Sequence, residues 1–349
     1  MGKQVSWGIV GAGAIAQRFA SDLLRRPDAR LTAVAARREP SAQAFAQAFG
    51  VPNAHTGVEA LAARSDVDIV YIATPNADHL ASALACIAAR KAVLIEKPIA
   101  VTAQQARTIA VAAAEAGVFC MEAMWMRFTP GVVRAKAMIE AGEIGEALHL
   151  DARLFYPQAF DPEDRFHDPA LGGGVLLDLG VYPVSLALHL FGRPGSVTGA
   201  TLTGDAAVER QAAMALAWPG RTATLACGFT GEGDNAAVVV GSRGHLHLHR
   251  QFICPPFLTR LRTDDPAAAG VRRPPRRQGV SRLAFAKRLL QPLDPRRTAF
   301  APTPFEGFGL GHQVAEAHRC LAAGLLESPV MPLAESVAVL EVLEQVGAS

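Results

Sequence analysis

The sequence predicts an α/β chain with a doubly wound parallel sheet at the N-terminus, followed by an α+β domain on a mainly antiparallel open sheet. Three observations predict this. Up to about residue 121, short β-branched runs alternate with alanine-rich helical stretches. Apolar strands separated by helices need crossover connections, and therefore a parallel sheet covered on both faces. Beyond that point strand-like runs follow one another directly, which favours antiparallel pairing. Finally, 349 residues, half of them hydrophobic and 19% charged, suffice for two domains with sizeable cores. The reading divides the chain into 1–122 and 123–349.

In the first domain, strands are read at Val5–Val10, Leu31–Ala35, Asp68–Ile72, Ala92–Ile95 and Val118–Met121, with a weaker one at Asn53–His55. Helices are read at Ala14–Arg25, Pro40–Phe49, Asp78–Arg90 and Ala103–Ala116, the last with Thr102 as its N-cap. In the second domain, Thr129-Pro130 reads as an N-cap followed by proline at the first helical position, opening a helix to about Ala141. Strands are then read at Ala147–Phe155, Ser196–Leu202, Gln211–Ala217, Arg221–Phe229, Ala236–Gly241 and His245–His249. A helical segment, Val175–Phe191, interrupts them, and closing helices are read near Gly311–Leu326 and Ala334–Val346. Residues 260–297 carry eleven Arg or Lys against three Asp, so that segment is about +8 and the rest of the chain about −6. Its prolines break long regular elements, and it reads as a solvated surface excursion, the alternative being a patch for an acidic partner.

Composition narrows the function classes. The net charge of +2 does not of itself point to a polyanion, and neither a nucleic-acid partner nor a membrane is expected. Five scattered cysteines without C-x-x-C spacing speak against a disulfide framework or a zinc site and fit a reducing compartment. No export-signal core or membrane-length apolar run is found, so the expected location is the cytoplasm.

Four motifs carry chemistry. Gly11-Ala12-Gly13-Ala14-Ile15-Ala16 follows a strand and opens a helix, the context that a dinucleotide fingerprint requires. Gly11 permits the tight turn, Gly13 lets the backbone approach a pyrophosphate, and Ala16 allows close helix–strand packing. The helix N-terminus adds unpaired N–H groups for phosphates. The second strand ends in Ala36-Arg37-Arg38, where an NAD-binding chain normally places an acid for the ribose 2′-hydroxyl. Two guanidinium groups suit a 2′-phosphate, which favours NADP and leaves NAD open. Thr74-Pro75-Asn76 stands at the carboxyl end of a strand, facing the ligand crevice, and His79 just beyond is read as a structural or nucleotide contact. Glu96-Lys97-Pro98 follows the next strand and aims a lysine at the nicotinamide end, where an ammonium can assist proton transfer.

Taken together, GAGAIA, ATPN with a following histidine, EKP, and the later GGGVLLDLGVYP resemble the glucose–fructose oxidoreductase / inositol dehydrogenase / MocA family of Rossmann-fold oxidoreductases. The resemblance spans nearly the whole chain. Met121–Phe128, Gly172–Pro183 and the tail Gly324–Leu333 are most similar to its dihydrodiol dehydrogenase and D-xylose dehydrogenase branch. It implies that Lys97 lies near the reacting carbon, that Asp178 and Tyr182 are the acid and proton-transfer residue of the second domain, and that Trp125 and Arg127 lie close to cofactor or substrate. Arg165 and His167, ahead of the Gly172-Gly173-Gly174 run, are further candidates to line the pocket. Asp178 and Tyr182 stand four apart, on one face if the segment is helical, although Pro183 suggests a new helix starting at Val181. Two departures from the family bear on substrate identity: the lengthened basic segment, and Leu310-Gly311-His312-Gln313, which lacks the expected aromatic character.

The resemblance thus implies an NAD(P)-dependent dehydrogenase or reductase. It would act at a CH–OH or C=O carbon of a sugar, polyol or cyclic diol, and form a homodimer or homotetramer. An NAD-dependent glycosidase of the same fold and a non-catalytic ligand sensor are the rival readings. No metal is required. His245, His247 and His249 alternate on one strand face, which reads as a partly buried strand before it reads as a metal site.

Overall fold

The β-branched run Val5–Val10 forms β1, and the glycine loop after it leads into α1 (Ala14–Leu23). The alternation continues through β2 (Ala29–Ala36), α2 (Glu39–Phe49), β3 (Asn53–Thr56), α3 (Val58–Ala62), β4 (Ile69–Ile72), α4 (His79–Ala88), β5 (Ala92–Glu96), α5 (Ala103–Ala116) and β6 (Cys120–Ala123). The computed structural model describes residues 4–161, 164–204, 208–263 and 298–348. The six strands pair in parallel in the order β3-β2-β1-β4-β5-β6. The winding direction reverses between β1 and β4, so their carboxyl ends border a crevice. Ile9, Ile72, Leu94 and Ile95 are fully buried, as a sheet covered on both faces requires. Thr102 caps α5 by accepting the N–H of Gln105. The five-residue α3 is too short to show helical periodicity, and β6 begins two residues later than the sequence suggests.

A 3-10 turn, Trp125–Phe128, leads into α6 (Pro130–Glu140). The Thr129 hydroxyl does not cap this helix but turns back to the Met126 carbonyl at 2.8 Å. Next come β7 (Ala147–Phe155), a π-helical turn at Leu176–Gly180 and α7 (Val181–Phe191), which starts at Val181 and carries Pro183 in its first turn. The strands β8 (Ser196–Thr203), β9 (Glu209–Trp218), β10 (Arg221–Gly228), β11 (Ala237–Gly241), β12 (Gly244–Leu248), β13 (Phe257–Arg262) and β14 (Thr298–Pro302) follow, and α8 (Gly311–Ala322) and α9 (Leu333–Gly347) close the chain.

The second sheet has the order β14-β13-β12-β11-β7-β10-β9-β8 and is antiparallel except where β7 and β10 run in parallel. Neither β13 nor β14 shows a strand pattern in sequence. The basic segment begins inside β13, where Arg260 pairs with Glu143 at 2.5 Å; residues 264–297 lie outside the described residues. Pro169–Phe191 is apolar and long enough to cross a membrane by composition alone. However, 72% of its apolar window is buried within the protein, and α7 packs on β7, β10 and α9. α9 also packs on α5 of the first half, tying the chain end to both halves.

Candidate active site

The loop between β1 and α1 is shaped by two glycines of different kinds. Gly11 has φ +114°, and a Cβ there would stand 2.3 Å from the Ala73 carbonyl oxygen, so only glycine fits. Gly13 faces open space, with nothing within 4 Å of a Cβ position. The first turn of α1 has neither a side-chain cap nor an acid, which leaves N–H groups for an anion. Ala14 is exposed, Ile15 borders the cavity described below, and Ala16 is buried against the sheet. Arg37 and Arg38, at the end of β2, are both exposed. Thr74 and Pro75 follow β4, and the Asn76 side-chain amide donates to the Gly172 carbonyl at 2.9 Å, joining this edge to the glycine run of the second half.

A cavity of about 400 Å³ opens between the two halves. Lys97, directly after β5, points its Nζ at Asp178 in the π-helical turn, 2.7 Å from the backbone oxygen and 3.2 Å from Oδ1. The same ammonium lies 4.8 Å from the centre of the Tyr182 ring. The Trp125 indole Nε1–H donates to the Tyr182 hydroxyl at 3.0 Å. Because the indole is only a donor, the tyrosine oxygen accepts there, and its own proton is free to point into the cavity. Burial works against the Lys97 ammonium, but the facing Asp178, Tyr182 and Glu96 charges overcome it and hold the pKa above the ordinary lysine value. Burial raises the Tyr182 pKa, and Lys97 offsets only part of that rise. At neutral pH both groups therefore carry their protons.

Five other sequence candidates sit differently. Arg127 is read from sequence as a substrate or cofactor contact, but it is fully buried and its guanidinium is spent on structure. It donates to the Ser185 hydroxyl at 2.9 Å, the Ser185 carbonyl at 3.0 Å and the Val330 carbonyl at 3.0 Å, and it pairs with Glu335. His79 is also fully buried, with Nδ1 2.8 Å from the Pro98 carbonyl and Nε2 3.1 Å from the Thr74 carbonyl; the neutral ring donates to one of them, so it braces the loops behind the crevice and does not face a ligand. Glu96 lies beneath Lys97, accepting from the Tyr71 hydroxyl and from the Lys97 N–H; burial pushes its carboxyl up to about 6. His167 is 2% exposed and packs edge-on against Phe160 and Phe229. Arg165 stays at the rim, 3.7 Å from Asp178 Oδ1 and stacked on Phe166.

The remaining lining is largely apolar: Leu154 and Tyr156 from the end of β7, Ile253 and Cys254 from the segment after β12, and Phe308 and Leu310 ahead of α8. The strand alternation of β7 could have pointed to Leu154. Phe308 lies in an irregular segment with no periodic signal. Among the described residues no group of three or more His, Cys, Asp or Glu is placed to hold a metal. His247 and His249 instead stack on one another at 3.9 Å.

Comparison with known proteins places the chain among relatives. Residues 5–124 match the model of an oxidoreductase family with an NAD-binding Rossmann fold, and residues 132–247 match the GFO/IDH/MocA C-terminal domain. A trans-1,2-dihydrobenzene-1,2-diol dehydrogenase from Macaca fuscata fuscata is 32% identical over 345 residues, covering 97% of this chain and 95% of that protein. A 3-ketoreductase from Actinomadura kijaniata, solved with NADP and TDP-benzene, superposes with a TM-score of 0.81 at 24% identity, covering 99% of this chain and 98% of that one. An aldose-aldose oxidoreductase from Caulobacter crescentus, solved with glycerol, gives 0.83 at 21% identity, covering 99% and 97%.

Proposed function

The chain belongs to the GFO/IDH/MocA oxidoreductase family, and on that premise we propose that it prefers NADP and acts on a ring-borne secondary alcohol or its ketone. The enzyme is nicotinamide-dependent and moves a hydride to or from a CH–OH or C=O carbon. The observation that carries the finer reading is the cluster of Lys97, Asp178, Tyr182 and Trp125 at one wall of the cavity beside α1.

The residues present fit the dinucleotide. The open space before Gly13 and the uncapped α1 accept a pyrophosphate, and the exposed Arg37 and Arg38 suit a 2′-phosphate. The bound nicotinamide supplies or takes up the hydride. In the reductive direction, Tyr182 gives its hydroxyl proton to the carbonyl oxygen of the substrate. Lys97, against the ring, and the Trp125 N–H stabilise the tyrosinate left behind. Asp178 holds Lys97 in place through its carbonyl and carboxylate. In oxidation the same groups act in reverse. The apolar patch of Leu154, Ile253, Phe308 and Leu310 suits the face of a ring, which favours a cyclic diol over an open-chain polyol, while Arg18, Tyr156 and Gln251 add polar partners on the other walls.

We place the division between the nucleotide and substrate domains at 122/123. A cytoplasmic location, supported by the free cysteines, and homo-oligomer formation through the second sheet, where Phe300 is 63% exposed, belong to the same reading.

The test is a nucleotide-turnover assay with NADP⁺, NAD⁺ and their reduced forms against trans-1,2-dihydrobenzene-1,2-diol, pyranose sugars and open-chain polyols. The expected result is a kcat/KM at least about tenfold higher with NADP(H) than with NAD(H), and with the diol than with polyols. Equal values for the two nucleotides would remove the role given to Arg37 and Arg38.

A further inference from the structure

Helix α1 ends in a carboxylate that none of the motifs includes. Asp22, in its last turn, is 3% exposed. It accepts the backbone N–H of Phe308 at 2.9 and 3.0 Å on its two oxygens, and Oδ2 also accepts those of Leu310 at 2.8 Å and Gly311 at 3.4 Å. The Gly311 carbonyl accepts in turn from Arg26, just past the helix, at 3.3 Å. Segment 307–311 thus wraps around the anion.

Two glycines make the wrap possible. Gly307 has φ +69°, and a Cβ there would stand 2.1 Å from Asp22 Oδ1; Gly309 has φ +85° and lies against the Trp125 ring. A buried carboxylate satisfied by several N–H groups fixes the backbone that supplies them, because each bond is charge-assisted and its loss would leave the anion exposed to an apolar interior. Two of the residues held in this way, Phe308 and Leu310, are walls of the cavity. The Phe308 ring is half exposed, with the Arg18 guanidinium, one turn before Asp22, 5.6 Å from its centre.

We propose that Asp22 is a positioning residue for the substrate: it clips segment 307–311 to the nucleotide-binding helix, so that Phe308 and Leu310 form the wall on which the apolar side of the substrate ring rests. This rests on the reading of the cavity as the substrate site. Under it, α1 serves two ligands, phosphates at its N-terminus and the substrate wall at its C-terminus.

The test uses the full chain with Asp22→Asn, Phe308→Ala and the double variant. Asparagine keeps the size but removes the charge and turns an amide donor toward backbone donors. In hydrogen exchange with NADPH present, Asp22→Asn should raise exchange of the 308–311 amides about tenfold while the start of α1 is unchanged. With trans-1,2-dihydrobenzene-1,2-diol, KM should rise about 5- to 20-fold, with kcat and the Kd for NADPH within about twofold. The two effects should combine to clearly less than their product, since Asp22 acts in part through Phe308. Unchanged exchange of those amides, an equal loss of NADPH affinity, or multiplying effects of the two substitutions would each overturn the proposal. Tyr182→Phe with unaltered kcat would instead overturn the proton-transfer reading. It would leave the KM comparison intact, and the exchange measurement needs no turnover.

Discussion

The two halves of the molecule meet the cavity with different material. The first half reaches it through Ile15 and Arg18 of α1 and the Lys97 ammonium after β5, and along the same edge of the sheet carries uncapped N–H groups after β1 and two exposed guanidinium groups after β2. The second half reaches it through side chains of β7, the segment after β12 and the turn before α7, most of them apolar. The first half is therefore suited to a charged ligand that is the same at every turnover, and the second sets the shape of what is transformed. The groups proposed for proton transfer lie on the seam, since Lys97 belongs to one half while Asp178 and Tyr182 belong to the other.

Substitutions at the seam should have the largest effect. Lys97→Met should lower kcat by about 10³-fold with little change in nucleotide Kd, read by steady-state kinetics alongside fluorescence titration of NADPH. A variant with ordinary kcat would remove the lysine from the chemistry. Tyr182→Phe keeps the ring against the ammonium and deletes only the proton, so a loss of about 10²-fold in kcat with KM nearly constant is expected. A rise in KM alone would make the tyrosine a binding group.

On the nucleotide side, replacing Arg37 and Arg38 together by serine should raise the KM for NADP⁺ about 10- to 30-fold and leave that for NAD⁺ within about twofold. A parallel rise for both would mean that the pair does not read the 2′-phosphate.

The last effect bears on stability and concerns the brace behind the crevice. Burial pushes the His79 pKa down to about 4. The unfolded chain takes up this proton near pH 6.5 and the folded chain only near 4, so the contribution is intact above about 6.5 and is lost as the pH falls toward 4, by roughly 3 kcal/mol. Glu96 works in the opposite sense: its carboxyl, raised to about 6, costs stability above that pH and none below about 4.5. Melting temperatures of the wild type and His79→Gln at pH 7 and 4.5 separate the two. The variant should show the smaller loss on acidification, and equal losses would contradict a neutral buried imidazole.

Much of the first half was legible because its signals are local. A parallel sheet buried on both faces needs unbroken apolar runs, and Val5–Val10 and Ala103–Ala116 appear where the pattern places them. Lys97, Asp178 and Tyr182 were visible through family motifs, but that they meet across the cavity depends on how the halves pack. Arg127 was misread, and His79 was left open between a structural and a nucleotide contact, because an arginine or histidine in sequence does not show whether its donors end on carbonyls or on a ligand. Phe308 and Asp22 were missed because the bonds that join them span 286 positions and follow no period.

The π-helical turn at Leu176–Gly180 has one more consequence. Such a turn closes its hydrogen bonds over five residues instead of four, and Asp178 lies within it, its backbone oxygen 2.7 Å from the Lys97 ammonium. Removing a single residue there, for instance Leu177, would let the segment relax into ordinary helix. Asp178 would then sit on a narrower turn, still four residues from Tyr182 but no longer held where it meets Lys97. The chain would keep its fold and lose the contact of Asp178 with the lysine of the other half, so this turn is where a length change of one residue would matter more than many substitutions.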